Sequence, residues 1–174
     1  MEEKVEIPEN IEVEKEEDMI RASAGDEEVE KEFGYPEVDV RVDGGQVIIH
    51  TESSKRDDRA VIGTYKSHVE NMFEGLEEEY EYKLKALYAH FPMSVKVEGN
   101  QVVIQNFIGE RAPRKVDILE GVNVQVSEDE ITVSGPNKEK VSQTAANIEQ
   151  ACYKGSRDLR KFQDGVYITS KGDK

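Results

Sequence analysis

Apolar and polar side chains alternate along paired short segments of the chain. Residues 38–42 place Val38, Val40 and Val42 on one face, and after Gly44-Gly45 an apolar run follows at 47–49. Alternation at every second residue predicts a strand with one buried face, and the glycine pair predicts the turn of an antiparallel hairpin. The same pattern predicts three further hairpins, which pair residues 11–13 with 19–22, 95–97 with 102–105, and 122–126 with 131–133.

A different spacing follows the second hairpin of each half. Apolar side chains recur every three or four residues over 62–73 and again over 141–152. This spacing predicts amphipathic helices of about three turns, and Asn137 is placed to cap the second one. A closing strand is predicted after each helix, at 80–88 and at 166–169, the latter directly after an Asp164-Gly165 turn.

The two halves are copies of one unit. A shift of 84 residues superimposes their apolar positions, and beyond residue 49 the shift falls to 79 because the first copy has a loop five residues longer. The matches include Val13 with Val97, Ile20 with Ile104, Gly25 with Gly109, Lys31 with Lys115, and Val40 with Val124. We therefore predict an α+β fold of two tandem copies of one small unit, each with antiparallel strands packed on a single amphipathic helix. Their predicted bounds are 1–86 and 87–174.

Composition narrows the class of protein. The chain has 174 residues, of which 36% are hydrophobic and 35% charged, which is polar but too regularly patterned for a disordered chain. Its single cysteine, Cys152, excludes an internal disulfide framework and lies on the predicted buried face of the second helix. No apolar run approaches membrane-spanning length, so we expect a soluble, cytoplasmic protein with no membrane partner.

The charge is distributed unevenly between the two halves. The net charge is −15, and residues 1–86 carry all of it, with 11 Lys+Arg against 26 Asp+Glu. Residues 87–174 carry 12 of each, so a polyanion-binding surface is expected only there. An acid surplus of this kind is typical of cytosolic proteins in salt-loving microbes, and we expect such a host.

The sequence offers no pattern typical of an active site. It contains no glycine-rich phosphate loop, no HExxH and no Cys or His pair at metal spacing. Acidic pairs such as Asp57-Asp58 are more typical of solvated surface than of acid–base catalysis. We predict a protein that is not an enzyme and has no cofactor, metal or small-molecule substrate.

Two basic clusters in the second copy suggest another kind of chemistry. The loop 106–115 carries three cations, and so does the segment 157–168 ahead of its Asp-Gly turn. Cations on short, fixed loops suit phosphate contacts, although a solvated surface loop is the simpler alternative. We predict a matching loop in the first copy, 22–32, and that loop is instead acidic. That divergence in charge favours a function for the basic copy.

Four segments resemble one family. They read SHVENMFEG at 67–75, YAHFP at 88–92, NFIGERAPRK at 106–115 and RDLRKFQDGVYI at 157–168. Together they resemble the ribosomal protein six family of the large subunit, in its archaeal and eukaryotic branch, over essentially the whole chain. The chain departs from that pattern at Lys154, where an apolar residue is usual.

The resemblance implies a structural component of the large ribosomal subunit whose second unit binds large-subunit rRNA close to the sarcin-ricin loop. Neighbouring large-subunit ribosomal proteins and transient translation factors would be its other partners. We call the segment 157–168 the tail. Its residues Phe162, Val166, Tyr167 and Ile168 would form core that holds it in place. The predicted RNA-binding residues are Arg111, Arg114, Lys115, Lys154, Arg157, Arg160, Lys161 and Lys171. An alternative from another class is an acidic protein-interaction module that does not bind RNA.

Overall fold

The computed structural model describes residues 1–172, which form two α+β units, as predicted. The first unit is Met1–Glu79, and the second begins at Tyr80. Each unit contains one α-helix packed on antiparallel strands around its own hydrophobic core.

The first unit has two three-stranded sheets. Their orders are β1-β6-β5 and β2-β3-β4, and the helix contacts strands of both sheets. The elements are β1 (Glu2–Glu6), β2 (Glu12–Glu16), β3 (Met19–Ala24), β4 (Glu27–Glu32), β5 (Asp39–Asp43), β6 (Gln46–His50) and α1 (Arg56–Glu77). Both predicted hairpins are confirmed, since Val13 pairs with Ala22 and Val40 with Ile49. The helix buries Ile62, Val69 and Phe73, which lie at the predicted helical spacing.

The second unit has one three-stranded sheet and one four-stranded sheet. Their orders are β10-β9-β8 and β11-β12-β7-β13. The elements are β7 (Tyr80–Leu87), β8 (Ser94–Glu98), β9 (Gln101–Gln105), a 3-10 turn (Phe107–Gly109), β10 (Arg114–Asp117), β11 (Asn123–Ser127), β12 (Glu130–Gly135), α2 (Lys138–Ala151) and β13 (Gly165–Ser170). Asn137 caps α2 as predicted, because its side chain accepts from the amides of Glu139 and Lys140.

The strand after α1 belongs to the second unit, which corrects the prediction that it closes the first. Leu84 at the middle of β7 lies opposite Ile131 of β12 on one side and Ile168 of β13 on the other. In the first unit β1 pairs with β6 as β7 pairs with β12, so each copy begins with this strand. The first unit has no counterpart of β13 among the described residues. The units consequently divide after Glu79 rather than after residue 86.

The segment 22–32 of the first unit is not the loop that we predicted. A tight turn at Gly25 (φ 62°) joins β3 directly to β4, and Ala22 pairs with Val29. Pairing also places Lys31 opposite Ile20 and Arg114 opposite Ile104, so Lys31 matches Arg114 and the predicted match of Lys31 with Lys115 is wrong. The second unit instead has a longer connection, 106–113, between β9 and β10. The two copies therefore differ in both the length and the charge of this connection.

Candidate nucleic-acid interface

The connection 106–113 holds an unusual backbone conformation. Asn106 (φ 58°), Ile108 (φ 50°) and Gly109 (φ 72°) all lie in the left-handed region, which is strained for a β-branched residue such as Ile108. Two contacts with the rest of the unit fix this segment. The Phe107 ring is almost fully buried, and the side-chain amide of Asn106 donates to the Pro92 carbonyl at 2.7 Å. A rigid loop therefore presents the exposed Arg111.

Arg114 ties this loop to the end of α2. Its Nε and Nη2 donate to the two carboxylate oxygens of Glu110 at 2.9 and 2.7 Å. Its Nη1 donates to the carbonyls of Ala151 and Tyr153 at 2.6 and 2.9 Å. The guanidinium also stacks over the Phe107 ring, 4.4 Å from its centre. The hydrogen bonds from Arg114 to the Glu110 carboxylate hold the pKa of that carboxyl below its usual range. Arg114 is thus engaged inside the protein.

The second basic cluster lies on a compact turn after α2. Asp158 organises it, since its carbonyl accepts from the amides of Lys161 and Phe162, and its side chain accepts from the Arg160 amide at 2.9 Å. The side chain of Arg160 is 92% exposed. Arg157 lies over the Phe162 ring, 5.5 Å from its centre, which limits the directions that its guanidinium can take.

The two basic clusters lie next to each other. Arg114 follows the first loop and donates to the carbonyl of Tyr153, four residues before Arg157. Arg157 on the second loop is one of the charges that lower the pKa of Glu110 on the first, after the Arg114 hydrogen bonds. We call the exposed cations of these loops the basic surface. It comprises Arg111, Arg157, Arg160 and Lys161.

The other predicted binding residues lie elsewhere. Lys115 is exposed but neighbours Arg114 on a strand, so it points to the opposite face, where it contributes to lowering the pKa of Glu98 after the larger effect of Lys96. Lys171 is exposed beyond the end of β13. Lys154 is buried, and its ammonium donates to the Tyr167 hydroxyl at 2.6 Å. Lys115 and Lys171 thus lie outside the basic surface, and Lys154 lies beneath it.

The predicted tail core is confirmed only in part. Val166 is 1% exposed, whereas Phe162, Tyr167 and Ile168 are half-buried. Cys152 is buried in the core of the second unit, as predicted, and burial raises the pKa of its thiol.

A buried carboxylate that the sequence did not reveal holds the tail in place. Asp164 is 2% exposed, and its Oδ1 accepts from the Ala89 amide at 3.2 Å and faces His90 Nδ1 at 3.4 Å. Burial by itself raises the pKa of this carboxyl, but the amides of Ala89, His90 and Phe91 and the His90 ring lower it, and the net shift is downward. Asp164 therefore joins the tail to the segment that follows β7, beyond its apparent role in an Asp-Gly turn.

The Asp164→Asn variant is expected to unfold more easily than the parent chain at pH 7, by about 1–3 kcal/mol, because the amides that donate to Asp164 lose their ionised acceptor. A lowered folded-state pKa stabilises the fold above the ordinary value of 3.8, and this contribution is lost as the pH falls below it. The difference between parent and variant should therefore shrink below about pH 4 in urea titrations followed by circular dichroism. A difference that stays constant from pH 7 to pH 3 would contradict this assignment.

Neither a candidate metal site nor a membrane-spanning helix occurs among the described residues. Within 1–172 no group of three or more His, Cys, Asp or Glu side chains is placed to hold a metal ion. Neither described helix has the length and apolar character needed to cross a membrane.

Comparison with known proteins connects this geometry to a family. A family model described as Ribosomal protein L6 matches residues 91–165. The large ribosomal subunit protein uL6 of Methanococcus vannielii is 44% identical over 172 residues, which cover 99% of this chain and 94% of the relative. The uL6 proteins of Haloarcula marismortui and Methanosarcina mazei are 46% and 47% identical, over 96% of this chain and 94% and 95% of their own lengths. The host remains a prediction, because relatives from different genera match almost equally well.

Proposed function

Because the chain belongs to the ribosomal protein L6 family, we propose that it binds large-subunit rRNA through the basic surface of its second unit. Membership makes it a structural, non-enzymatic component of the large ribosomal subunit in the cytoplasm. Ribosomal RNA and neighbouring ribosomal proteins are accordingly its partners. The refinement that we propose concerns which unit and which residues contact the RNA.

The observation that carries this proposal is the contact between the two basic loops. The sequence separates Arg111 from Arg157 by more than forty residues, yet Glu110 of the first loop and Arg157 of the second line one cleft. The corresponding connection of the first unit is a tight turn that leads into β4, where Glu28, Glu30 and Glu32 are exposed. One copy of the fold thus presents fixed cations where the other presents carboxylates, and only the former suits a polyanion.

Binding through this surface would depend on RNA shape and backbone. A-form RNA presents phosphates and 2′-hydroxyl groups, while its major groove is too narrow for side chains to read base edges. The basic surface would fix the position of the protein on the folded rRNA without reading sequence directly. Each phosphate contact releases counterions, so binding should weaken as salt increases.

Neutralising the tail cations tests this proposal. The full-length triple variant Arg157→Gln, Arg160→Gln, Lys161→Gln is expected to lower the slope of log affinity against log salt by about 2–3, at roughly 0.7–0.9 per lost phosphate contact. Filter binding to large-subunit rRNA across a potassium series measures the slope. The matched triple variant Lys83→Gln, Lys85→Gln, Lys96→Gln removes three exposed cations from other strands of the same unit and should leave the slope near that of the parent. Equal slopes for both triple variants would refute the proposed surface.

We also propose that the rRNA contacted lies close to the sarcin-ricin loop, near the region where translation factors dock. The support is the resemblance of segments 106–115 and 157–168 to the family pattern. Ribosomes assembled with a single photo-crosslinker in place of the exposed Lys161 should yield adducts at or beside that loop. Adducts confined to distant rRNA helices would exclude this location.

A protein-interaction role for the first unit is the competing proposal. Its support is the acidic surface of β4, where Arg21 is the basic partner of Glu28 and Glu30. The two proposals differ in the rRNA titration, because an interaction module without RNA binding would show no dependence on Arg157, Arg160 or Lys161.

A further inference from the structure

An open groove lies between the end of α2 and the basic turn. Its cavity volume is about 960 Å³, and mainly apolar surface lines it. The lining residues used below are Tyr153, Lys154, Arg157, Leu159, Val166 and Tyr167. A neighbouring cleft shares Tyr153, Lys154 and Arg157 with the groove and is also lined by Glu110 and Arg114. The groove therefore borders the basic surface at Arg157.

A buried cation lies in this groove. Lys154 is only 9% exposed, and its ammonium reaches the Tyr167 hydroxyl at 2.6 Å and lies 5.2 Å from the centre of the same ring. Among residues 1–172, the Tyr167 hydroxyl accepts the hydrogen bond that this ammonium makes, and the ion pairs found there do not include Lys154. An ammonium has three N–H donors, so Lys154 can donate to a further acceptor while it keeps this bond. Because Lys154 lines the groove, it is placed to donate to an oxygen atom of a bound ligand.

The mouth of the groove exposes large apolar side chains. Tyr153 is 74% exposed and Leu159 is 67% exposed, the two highest values among the exposed large hydrophobic residues. An exposed aromatic ring beside cations is the arrangement on which proteins stack unpaired bases. The exposed Arg157 stands at the same opening and is suited to a phosphate.

We propose that the groove receives one unstacked RNA base, which packs against Tyr153 and Leu159 and accepts a hydrogen bond from Lys154 through a ring carbonyl oxygen. Uracil, guanine and cytosine carry such an oxygen and adenine does not, so the site takes one of the first three. The phosphate of that nucleotide lies outside, at Arg157. This inference rests on the proposed rRNA binding and adds a defined contact to it. Lys154 in the groove and Arg157 at its opening favour a nucleotide over an apolar protein side chain, which would offer neither cation an acceptor.

Base-specific chemical probing of large-subunit rRNA bound to the full-length chain tests the inference. A carbodiimide probes unpaired uracil and guanine, and dimethyl sulfate probes cytosine and adenine. We expect one uracil, guanine or cytosine to be protected by the parent chain and to regain reactivity with Lys154→Met. Tyr153→Ala should expose the same base and weaken rRNA binding by about tenfold, within the range for loss of one stacked base.

The variant Tyr167→Phe separates ligand binding from a purely structural role of Lys154. It removes the hydroxyl that Lys154 contacts but keeps the ring and the ammonium, so the base should remain protected. If Tyr167→Phe and Lys154→Met expose the base equally, Lys154 acts only by holding Tyr167, and the inference is overturned. Protection of adenine alone, or of no base, also overturns it while rRNA binding through the basic surface stands. A parent chain that fails to bind rRNA at all overturns the proposed function itself.

Discussion

Replacing Leu84 with alanine is expected to lower the free energy of unfolding by about 2–5 kcal/mol, the range for emptying a fully buried leucine site. Leu84 is 0% exposed, and its strand β7 is hydrogen-bonded to β12 and β13 on either side. The α2 helix packs on the same strand, so few neighbours can move into the space left by the side chain. Urea unfolding followed by circular dichroism measures the loss.

Amide hydrogen exchange in Leu84→Ala tests whether β7 belongs to the first unit or to the second. Since β7 lies in the sheet of the second unit, amides of β11, β12 and β13 should exchange hydrogen faster in Leu84→Ala, while amides of β1 and β6 should not. The control Leu87→Ala changes an exposed side chain at the end of the same strand and should alter stability by no more than about 0.5 kcal/mol. Faster exchange confined to the first unit would mean that β7 closes the first unit, as the sequence predicts.

Strands with a clear apolar alternation were predicted correctly, and strands dominated by charge were missed. The sequences of β1 and β4 read EEKVE and EEVEKE, and each has a single buried valine, Val5 or Val29. Glutamate and lysine have low strand propensity, so neither segment stands out locally. Both strands form because a neighbouring strand supplies backbone partners along one side, which is a tertiary effect.

The assignment of β7 failed for a related reason. Its alternation predicts a strand but does not identify its partners. Only the pairing of Leu84 with Ile131 shows that it begins the second copy.

The sequence predicts which two segments carry the basic surface better than it predicts which of their cations are exposed. Clusters of cations on loops can be read from the sequence, and four of the eight predicted residues are exposed on the two adjoining loops. The sequence does not show which cations the protein uses internally. Arg114 and Lys154 have the same charge as Arg157, yet the carbonyls at the end of α2 hold one, and the Tyr167 hydroxyl contacts the other. Asp164 was also read only as a turn residue, because its amide partners lie 75 residues away in the sequence.

The Arg114→Met variant is expected to lose about 1.5–3 kcal/mol of stability, the range for hydrogen bonds made by a charged group. Methionine keeps much of the side-chain length but leaves the carbonyls of Ala151 and Tyr153 and the Glu110 carboxylate without their donor. Affinity for rRNA should fall by a similar factor at every salt concentration, because the loop loosens while the number of phosphate contacts stays the same. Urea unfolding and salt-dependent rRNA binding together measure both effects.

Arg157→Met is the matched control for this prediction, since it removes the same charge from an exposed side chain of the adjoining loop. It should change stability by less than about 0.5 kcal/mol. It should lower the salt slope by roughly 0.7–0.9, the value for one phosphate contact. The reverse result, with Arg114→Met lowering the slope and leaving stability unchanged, would mean that Arg114 leaves its internal partners to contact RNA. The fixed loop geometry on which the basic surface depends would then have to come from Asn106 and Phe107 alone.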